Sequence, residues 1–235
     1  LPKPQAVHTV AFSCASITEA AQAAATLLSG YQMPNALVLV NSEIADYLNI
    51  EGDGYKLLAL FQGRLKSVEA RLTKGCQAAK EDGCSIQEVF PERESTALWQ
   101  RIVDLGWNDE PKPVLSIKLS CLPSETATLV QSLEALRSLP YRHGICADMG
   151  AGSIGSFWWS ESTELVTSAE DLTQRVVRLA DEIGRSWVIE KCPRDVKDIL
   201  DVWGPLPDGV DIMRRIKSRL DPVGILNPGR FVGGI

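Results

Sequence analysis

Apolar residues along this chain fall into two patterns, short continuous or alternating runs and longer stretches at helical spacing. Val7–Ser13 reads as a strand. Ser16 or Thr18 then caps an alanine-rich helix that ends at Gly30. The run ALVLV at 36–40 is a second strand, and a turn at Gly52-Asp53-Gly54 leads to a third over Tyr55–Phe61. Leu65, Val68 and Leu72 mark a helix from Arg64 to about Asp82, stopped by Gly83, and Ser85–Phe90 is a fourth strand. A connecting helix over Glu94–Leu105 and a proline loop over Asn108–Pro113 follow.

The same order then recurs. Val114–Cys121 reads as a strand, and Pro123-Ser124 opens a helix to about Leu139. Gly144–Asp148 and Ser156–Ser160 are strands on either side of a glycine-rich turn. Ala169–Ile183 is a helix with Glu170 and Asp171 in its first turn, and Trp187–Cys192 is the last strand. Faint echoes accompany the repeat: Ser13-Cys14 against Ser120-Cys121, and GCSIQEV (83–89) against GRSWVIE (184–190). A β-α-β-β-α-β run is the ferredoxin-like motif, an antiparallel sheet covered by helices on one face. The expectation is an α+β fold of two duplicated ferredoxin-like βαββαβ units with their sheets side by side. The divisions are 1–110 for the first half with its connecting helix, 111–195 for the second, and 196–235 for a C-terminal helix and tail.

Composition narrows the function. The chain has 235 residues, 45% hydrophobic and 23% charged, with a net charge of −6. An acidic chain without a broad basic stripe repels phosphate backbones, so nucleic acid is not an expected partner. Arg214, Arg215, Lys217, Arg219 and Arg230 crowd the C-terminus, either as a solvated helix face or as a contact for an anionic ligand or partner domain. No run approaches the ~20 apolar residues of a membrane helix, so an integral membrane protein is not expected. The six cysteines form no C-x-x-C pair and have no zinc spacing, and read as reduced structural thiols of a cytoplasmic protein. LPKPQAV is no signal peptide, and with no initiator methionine Leu1 is expected to follow an upstream segment, with Pro2 and Pro4 as the tail of a linker.

The usual catalytic constellations are missing. Only His8 and His143 could serve as histidine acid–base groups, and both read as structural or solvated. There is no H-E-x-x-H, EF-hand loop, G-x-S-x-G elbow or Walker A loop, and no metal site is expected. Gly150-Ala151-Gly152-Ser153-Ile154-Gly155 matches the dinucleotide fingerprint, but that mechanism needs a helix to open at the loop. Ser156-Phe157-Trp158-Trp159 reads as a strand instead, which makes this a glycine hairpin or a flat backbone surface for a ligand. Glu161/Glu164 and Asp181/Glu182 read as exposed. Trp158, Trp159, Trp187 and Trp203 read as core or interface.

The C-terminus says more. Asp208 or Asp211 caps a short basic helix with Ile212, Met213, Ile216 and Leu220 on one side, and Asp221-Pro222 ends it. Asn227-Pro228-Gly229 is a stiff turn, as expected for a tail that docks onto something specific. The segment MRRIKSRLDPVGILNPGRFVGGI (213–235) closely resembles the end of FAD-linked oxidases of the vanillyl-alcohol oxidase type. With the preceding DVWG it looks most like the glycolate oxidase E-subunit branch of that family.

The resemblance implies a C-terminal cap that covers a flavin held by an N-terminal FAD-binding domain. It places Asn227, Pro228, Gly229 and Arg230 near the flavin domain and turns Gly150–Gly152 toward the substrate side. Arg142, Asp148, Gly150 and Gly152 are the substrate-side candidates, and the implied substrate is a 2-hydroxy acid, glycolate. Partners would be the chain's own FAD domain and the catalytic flavoprotein and iron–sulfur subunits of a glycolate oxidase complex, in the cytoplasm or peripherally at the membrane. Related 2-hydroxy-acid dehydrogenases carry a histidine-containing H-x-G-D-G-N-like stretch where this chain has Asp148-Met149-Gly150-Ala151-Gly152. That departure favours an accessory subunit.

Overall fold

Eight strands hydrogen-bond into a single antiparallel sheet in the computed structural model, which describes residues 3–108, 111–138, 140–160, 169–183 and 186–235. The first half is β1 (Ala6–Cys14), α1 (Ile17–Ser29), β2 (Ala36–Val40), α2 (Ser42–Tyr47), β3 (Tyr55–Gly63), α3 (Leu65–Glu81) and β4 (Ser85–Phe90). The connecting helix α4 (Glu92–Val103) follows. The second half is β5 (Leu115–Ser120), α5 (Thr126–Glu134), β6 (Arg142–Asp148), β7 (Ser153–Trp159), α6 (Ala169–Ile183) and β8 (Ser186–Lys191). The short α7 (Arg194–Ile199) and the amphipathic α8 (Val210–Leu220) close the chain.

The strand order is β4-β1-β3-β2-β6-β7-β5-β8. Each half thus has the ferredoxin-like order, and the two are mirrored across a β2–β6 seam. The expected side-by-side sheets are one continuous sheet. At the seam Val38, Leu39 and Val40 pair with Asp148, Ala147 and Cys146, and backbone bonds Met149 N–Leu37 O (2.9 Å) and Asn41 N–Ile145 O (3.2 Å) flank them.

So short a ladder is reinforced by Asn41, which is 2% exposed. Its Oδ1 accepts from Ile145 N at 3.0 Å and from Ile44 N at 3.3 Å, so it also caps α2. Its Nδ2 donates to His143 O and to Glu134 Oε1 at the end of α5, both at 2.9 Å. Every hydrogen-bonding position of the amide is used, two donated and two accepted.

Pleating sends alternate residues to opposite faces. Phe12, Leu39, Phe61, Leu119, Ile145 and Trp158 face the core beneath the long helices α1, α3, α5 and α6. Helix α1 lies close because Ala20, Ala23, Ala24 and Leu27 form its buried stripe, and Ser16 is its cap, accepting from Glu19 N at 3.2 Å. His143 is buried in this layer, stacked 3.6 Å from Trp158 and bonded through Nε2 to Ser156 Oγ at 2.9 Å. It is the second residue of β6 and part of the core.

The opposite face departs from the one-sided expectation. A second core of Ala11, Val40, Ile44, Leu58, Leu98 and Trp159 lies there beneath α2 and α4. Helix α2 has a stripe too short to register as a periodic pattern, with only Ile44 and Ala45 buried. It packs over β6 because Gly144 leaves room: a Cβ there would fall 2.5 Å from Ile44 Cδ1 and 2.9 Å from Trp159. Helix α4 is tied down by Trp99 Nε1, which donates to Thr9 Oγ1 at 2.8 Å, and by Ser95, whose hydroxyl meets the same oxygen at 2.6 Å. Lys56 is also buried on this face and donates to Ser13 Oγ at 3.1 Å and to Asp53 O at 2.7 Å, which pins the β2–β3 connection. The turn between β6 and β7 is shorter than expected, so Gly155 lies within β7. Helix α5 ends at Glu134 and continues as a 3₁₀ turn to Ser138; the expected end at Leu139 lies outside the described residues.

Asn41→Leu keeps the volume but leaves buried seam groups unpaired, and is expected to lower stability by about 3 kcal/mol in urea denaturation. Gly144→Ala forces Ile44 and Trp159 aside and should cost about 1–2 kcal/mol by the same measurement.

Candidate functional site

The repeat is broken where it matters for function. Helix α4 covers the second face of the first half, but after β8 the chain turns to the other side, where α7 packs on α6. The second face of β5–β8 therefore keeps a cleft of about 450 Å³. Its floor is Lys118 of β5, Cys146 and Asp148 of β6, Ser153, Gly155 and Phe157 of β7, and Glu190 of β8, with Val38 at the seam. Trp99, Ile102 and Val103 of α4, together with Leu105 and Trp107, form an apolar wall. Lys191 fixes the wall, donating to the Gly106 carbonyl with its ammonium 5.2 Å from the centre of the Trp107 ring. A mostly apolar concavity with a few convergent polar groups is what a small-molecule site looks like.

Its chemistry is limited. Burial pushes the Cys146 thiol up to about 12, with the neighbouring Asp148 carboxylate adding to the shift, so it is not a thiolate nucleophile near neutral pH. Asp148 reaches the cleft but is also part of the turn: its Oδ1 accepts from Gly150 N and Ala151 N, both at 2.9 Å. Gly152 has φ +68°, and a Cβ there would lie 2.2 Å from the Cys121 carbonyl, so this glycine sets how closely the turn packs on the end of β5. Neither Gly150 nor Gly152 lines the cleft. Arg142 begins β6 and is ion-paired with Glu43 of α2. Six residues of extended strand separate it from Asp148, roughly 20 Å, so the four substrate-side candidates do not converge. Of the acidic pairs, Asp181 accepts from Trp187 Nε1 at 2.7 Å, while Glu161 and Glu164 lie outside the described residues. Among the described residues no three His, Cys, Asp or Glu side chains gather as a metal site.

The tail is a second distinct surface. Helix α8 has no buried residue, and Ile212, Ile216, Leu220 (76% exposed), Val223 and Ile225 (73%) face outward. The tail is held at its base, where Trp203 meets Phe231 edge-on at 5.1 Å and Val232 is buried. Asp221 holds the middle. Its carboxylate pairs with Lys217 at 2.6 Å and accepts from Ile225 N and Leu226 N, both at 3.0 Å. The Lys217 ammonium first, then the Leu226 and Ile225 amides, bring its carboxyl down to about 2. This fold-back leads into the turn where Asn227 (φ 46°) and Gly229 (φ 69°) are left-handed and Arg230 N bonds to Asn227 O at 3.2 Å. Asn227 and Arg230 line a groove of about 590 Å³ with Lys217, Leu226, Phe231 and Ile235, and this groove shares no lining residue with the sheet cleft. The sequence flagged Asp221 only as a helix stop; an acidic side chain four and five residues before two amides was the available signal.

Comparison with known proteins puts both surfaces in context. The family profile of FAD linked oxidases, C-terminal domain, matches residues 206–231, which span α8 and the Asn-Pro-Gly turn. No curated protein matches the sequence closely enough to count as a relative. The fold is that seen in p-cresol methylhydroxylase with substrate bound (TM-score 0.66, 14% identity, 98% of this chain and 53% of that one). It is seen as well in 4-ethylphenol oxidase from Gulosibacter chungangensis (TM-score 0.61, 13% identity, 98% and 54%). Alkyldihydroxyacetonephosphate synthase shares it too (TM-score 0.61, 12% identity, 94% and 44%). The chain spans about half the length of these structures. The likeness is one of fold, an α+β arrangement of helices on an antiparallel sheet, and no helix among the described residues is long and apolar enough to cross a membrane.

The Gly150–Gly155 stretch opens into β7, so no helix begins at this loop as the dinucleotide fingerprint requires. The same strand removes the nicotinamide-site reading of that motif.

Because the Asp221 carboxyl falls from its ordinary 3.8 to about 2 in the folded tail, the closure it provides is complete above pH 4 and is lost as pH falls through about 2. Trp203 fluorescence is expected to report that loss on acid titration. Asp221→Asn should speed hydrogen exchange at the Ile225 and Leu226 amides at neutral pH.

Proposed function

We propose that the chain is the substrate-side cap of an FAD-dependent oxidoreductase acting on a 2-hydroxy acid, with glycolate as the substrate. Its flavin belongs to a separate N-terminal FAD-binding domain, and the chain is inactive alone. The observation that carries this reading is the tail, where an amphipathic helix with an exposed apolar side coincides with the stretch that matches FAD-linked oxidases. Contiguous exposed apolar surface marks a contact site. In this reading Asn227, Pro228, Gly229 and Arg230 meet the flavin domain, and the sheet cleft with Asp148 and Lys118 faces the substrate. Redox chemistry lies with the flavin of the neighbouring domain, while this chain positions substrate and excludes water. The units 1–110, 111–195 and 196–235 then serve as first sheet half, cleft-bearing half and docking tail.

A second reading, a non-catalytic assembly subunit bound to a catalytic flavoprotein partner, is favoured by one observation. Neither histidine lines the cleft, and His143 is committed to the core with Ser156 and Trp158.

Joining the chain to the FAD-binding domain that this reading calls for should give a flavin absorption spectrum and glycolate-dependent bleaching. A colourless joined protein would sink the cap reading, and activity that appears only with a partner flavoprotein would favour the second. Ile216→Asp with Leu220→Asp should weaken association with the flavin domain by about 30-fold or more, a loss of about 2 kcal/mol, measured by calorimetry.

A further inference from the structure

We propose that Cys14 and Cys84 are a redox-modification site, a thiol pair that closes to a reversible disulfide when the protein meets a hydroperoxide. This goes beyond the cap reading and does not depend on it. Cys14 is the last residue of β1, and Cys84 immediately precedes β4. The two strands pair with Ser13 opposite Ser85, which sets the next residues, Cys14 and Cys84, side by side across the ladder. Their sulfurs are 2.7 Å apart, and the residues are 1% and 3% exposed. The backbone need not move for a bond to form, because directly neighbouring antiparallel strands already have the separation a disulfide spans.

The protons are unevenly shared in this pair. Cys84 is lowered from the usual thiol range because it accepts a hydrogen bond from Cys14. Cys14 is raised, first by that hydrogen bond and then by burial. Cys84 is therefore the sulfur of the pair that gives up its proton more readily, and Cys14 the partner that keeps its own, the division of labour that disulfide formation needs. By contrast, burial raises the Cys76, Cys146 and Cys192 thiols.

The step balances as follows. The Cys84 thiolate attacks one peroxide oxygen, the O–O bond breaks, and the leaving hydroxide takes a proton to become water, giving a sulfenic acid on Cys84. Cys14 sulfur then attacks the Cys84 sulfur, the S–O bond breaks, and the Cys14 proton leaves with the hydroxyl as a second water. Two thiols lose two electrons and two protons, and one hydroperoxide is reduced. The bond would tie the end of β1 to the turn after α3 across 70 residues of sequence, at the edge of the sheet where β4 has no further strand beyond it.

The test treats the full chain with hydrogen peroxide, then denatures it in maleimide, and maps the tryptic peptides. The expected result is a linked Cys14–Cys84 peptide pair, an intact mass lower by two hydrogen atoms, and both thiols recovered by dithiothreitol. A linked pair found before treatment and released by dithiothreitol supports the proposal equally. Full alkylation of both cysteines after peroxide would overturn it. So would sulfinic or sulfonic acid on Cys84 with Cys14 still free, or links to other cysteines. Cys84→Ser should abolish the linked peptide, but mapping the unsubstituted chain decides the matter even where that variant fails to fold.

Discussion

The pairing of β2 with β6 is the contact on which the architecture depends. Each ferredoxin-like half would otherwise end in an open strand edge, a row of unpaired amides and carbonyls prone to pairing with another chain. The seam consumes both edges at once. Its ladder is only three residue pairs long, so the ladder alone would leave the two halves weakly joined. Asn41 lengthens it with a side chain that imitates backbone, bonding the next amide and the next carbonyl of β6. The same side chain caps α2, and α2 then lies across the seam over Gly144. One buried amide thus fixes the register of the sheet, starts a helix and reaches the end of α5.

The approximate two-fold relation of the halves about that seam makes one asymmetry informative. The chain leaves β4 into α4, which covers the second face of its own half with Leu98 and Trp99. It leaves β8 toward the opposite face, and the corresponding surface of the second half stays open over Lys118, Asp148 and Glu190. The wall of that opening is the far side of α4 and its exit, so the first half supplies one side of the cleft and the second half the floor. A cleft at the junction of two repeats needs no insertion, only a difference in where two connections go. The tail obeys a different constraint: with its base fixed by Trp203, Phe231 and Val232, it holds an amphipathic helix with its apolar side exposed. Asp221 gives it shape through polar bonds that survive exposure, where a hydrophobic core is not available.

Much of this was legible in the chain itself. The eight strands and the long helices could be read because their runs are long enough for a period to repeat. Ser16 could be read as a cap from its hydroxyl and the glutamate three residues on. What escaped notice was short or non-local. SEIADY at α2 and RDVKDI at α7 span fewer than two turns, and no period survives over six residues. Of the site, the sequence pointed to Arg142, Asp148, Gly150 and Gly152. The fold puts Asp148 on the floor of the cleft, Arg142 at the far end of the same strand, and Gly150 and Gly152 in the turn, a separation set by strand geometry that no motif records.

Sequence alone determined the duplicated βαββαβ order, the placement of glycine and proline breaks, the absence of a phosphate-binding helix after Gly155, and the stiff Asn227-Pro228-Gly229 tail. These are local properties, set by periodicity and backbone preference within a few residues. Tertiary structure alone decided that two sheets become one, that α4 covers one half and leaves the other open, that Asn41 joins segments about a hundred residues apart, and that Cys14 meets Cys84. Those outcomes depend on strand register and on the face to which a connection turns. Both are settled by which apolar surfaces can be buried together, a quantity that belongs to the folded chain and to no single stretch of it.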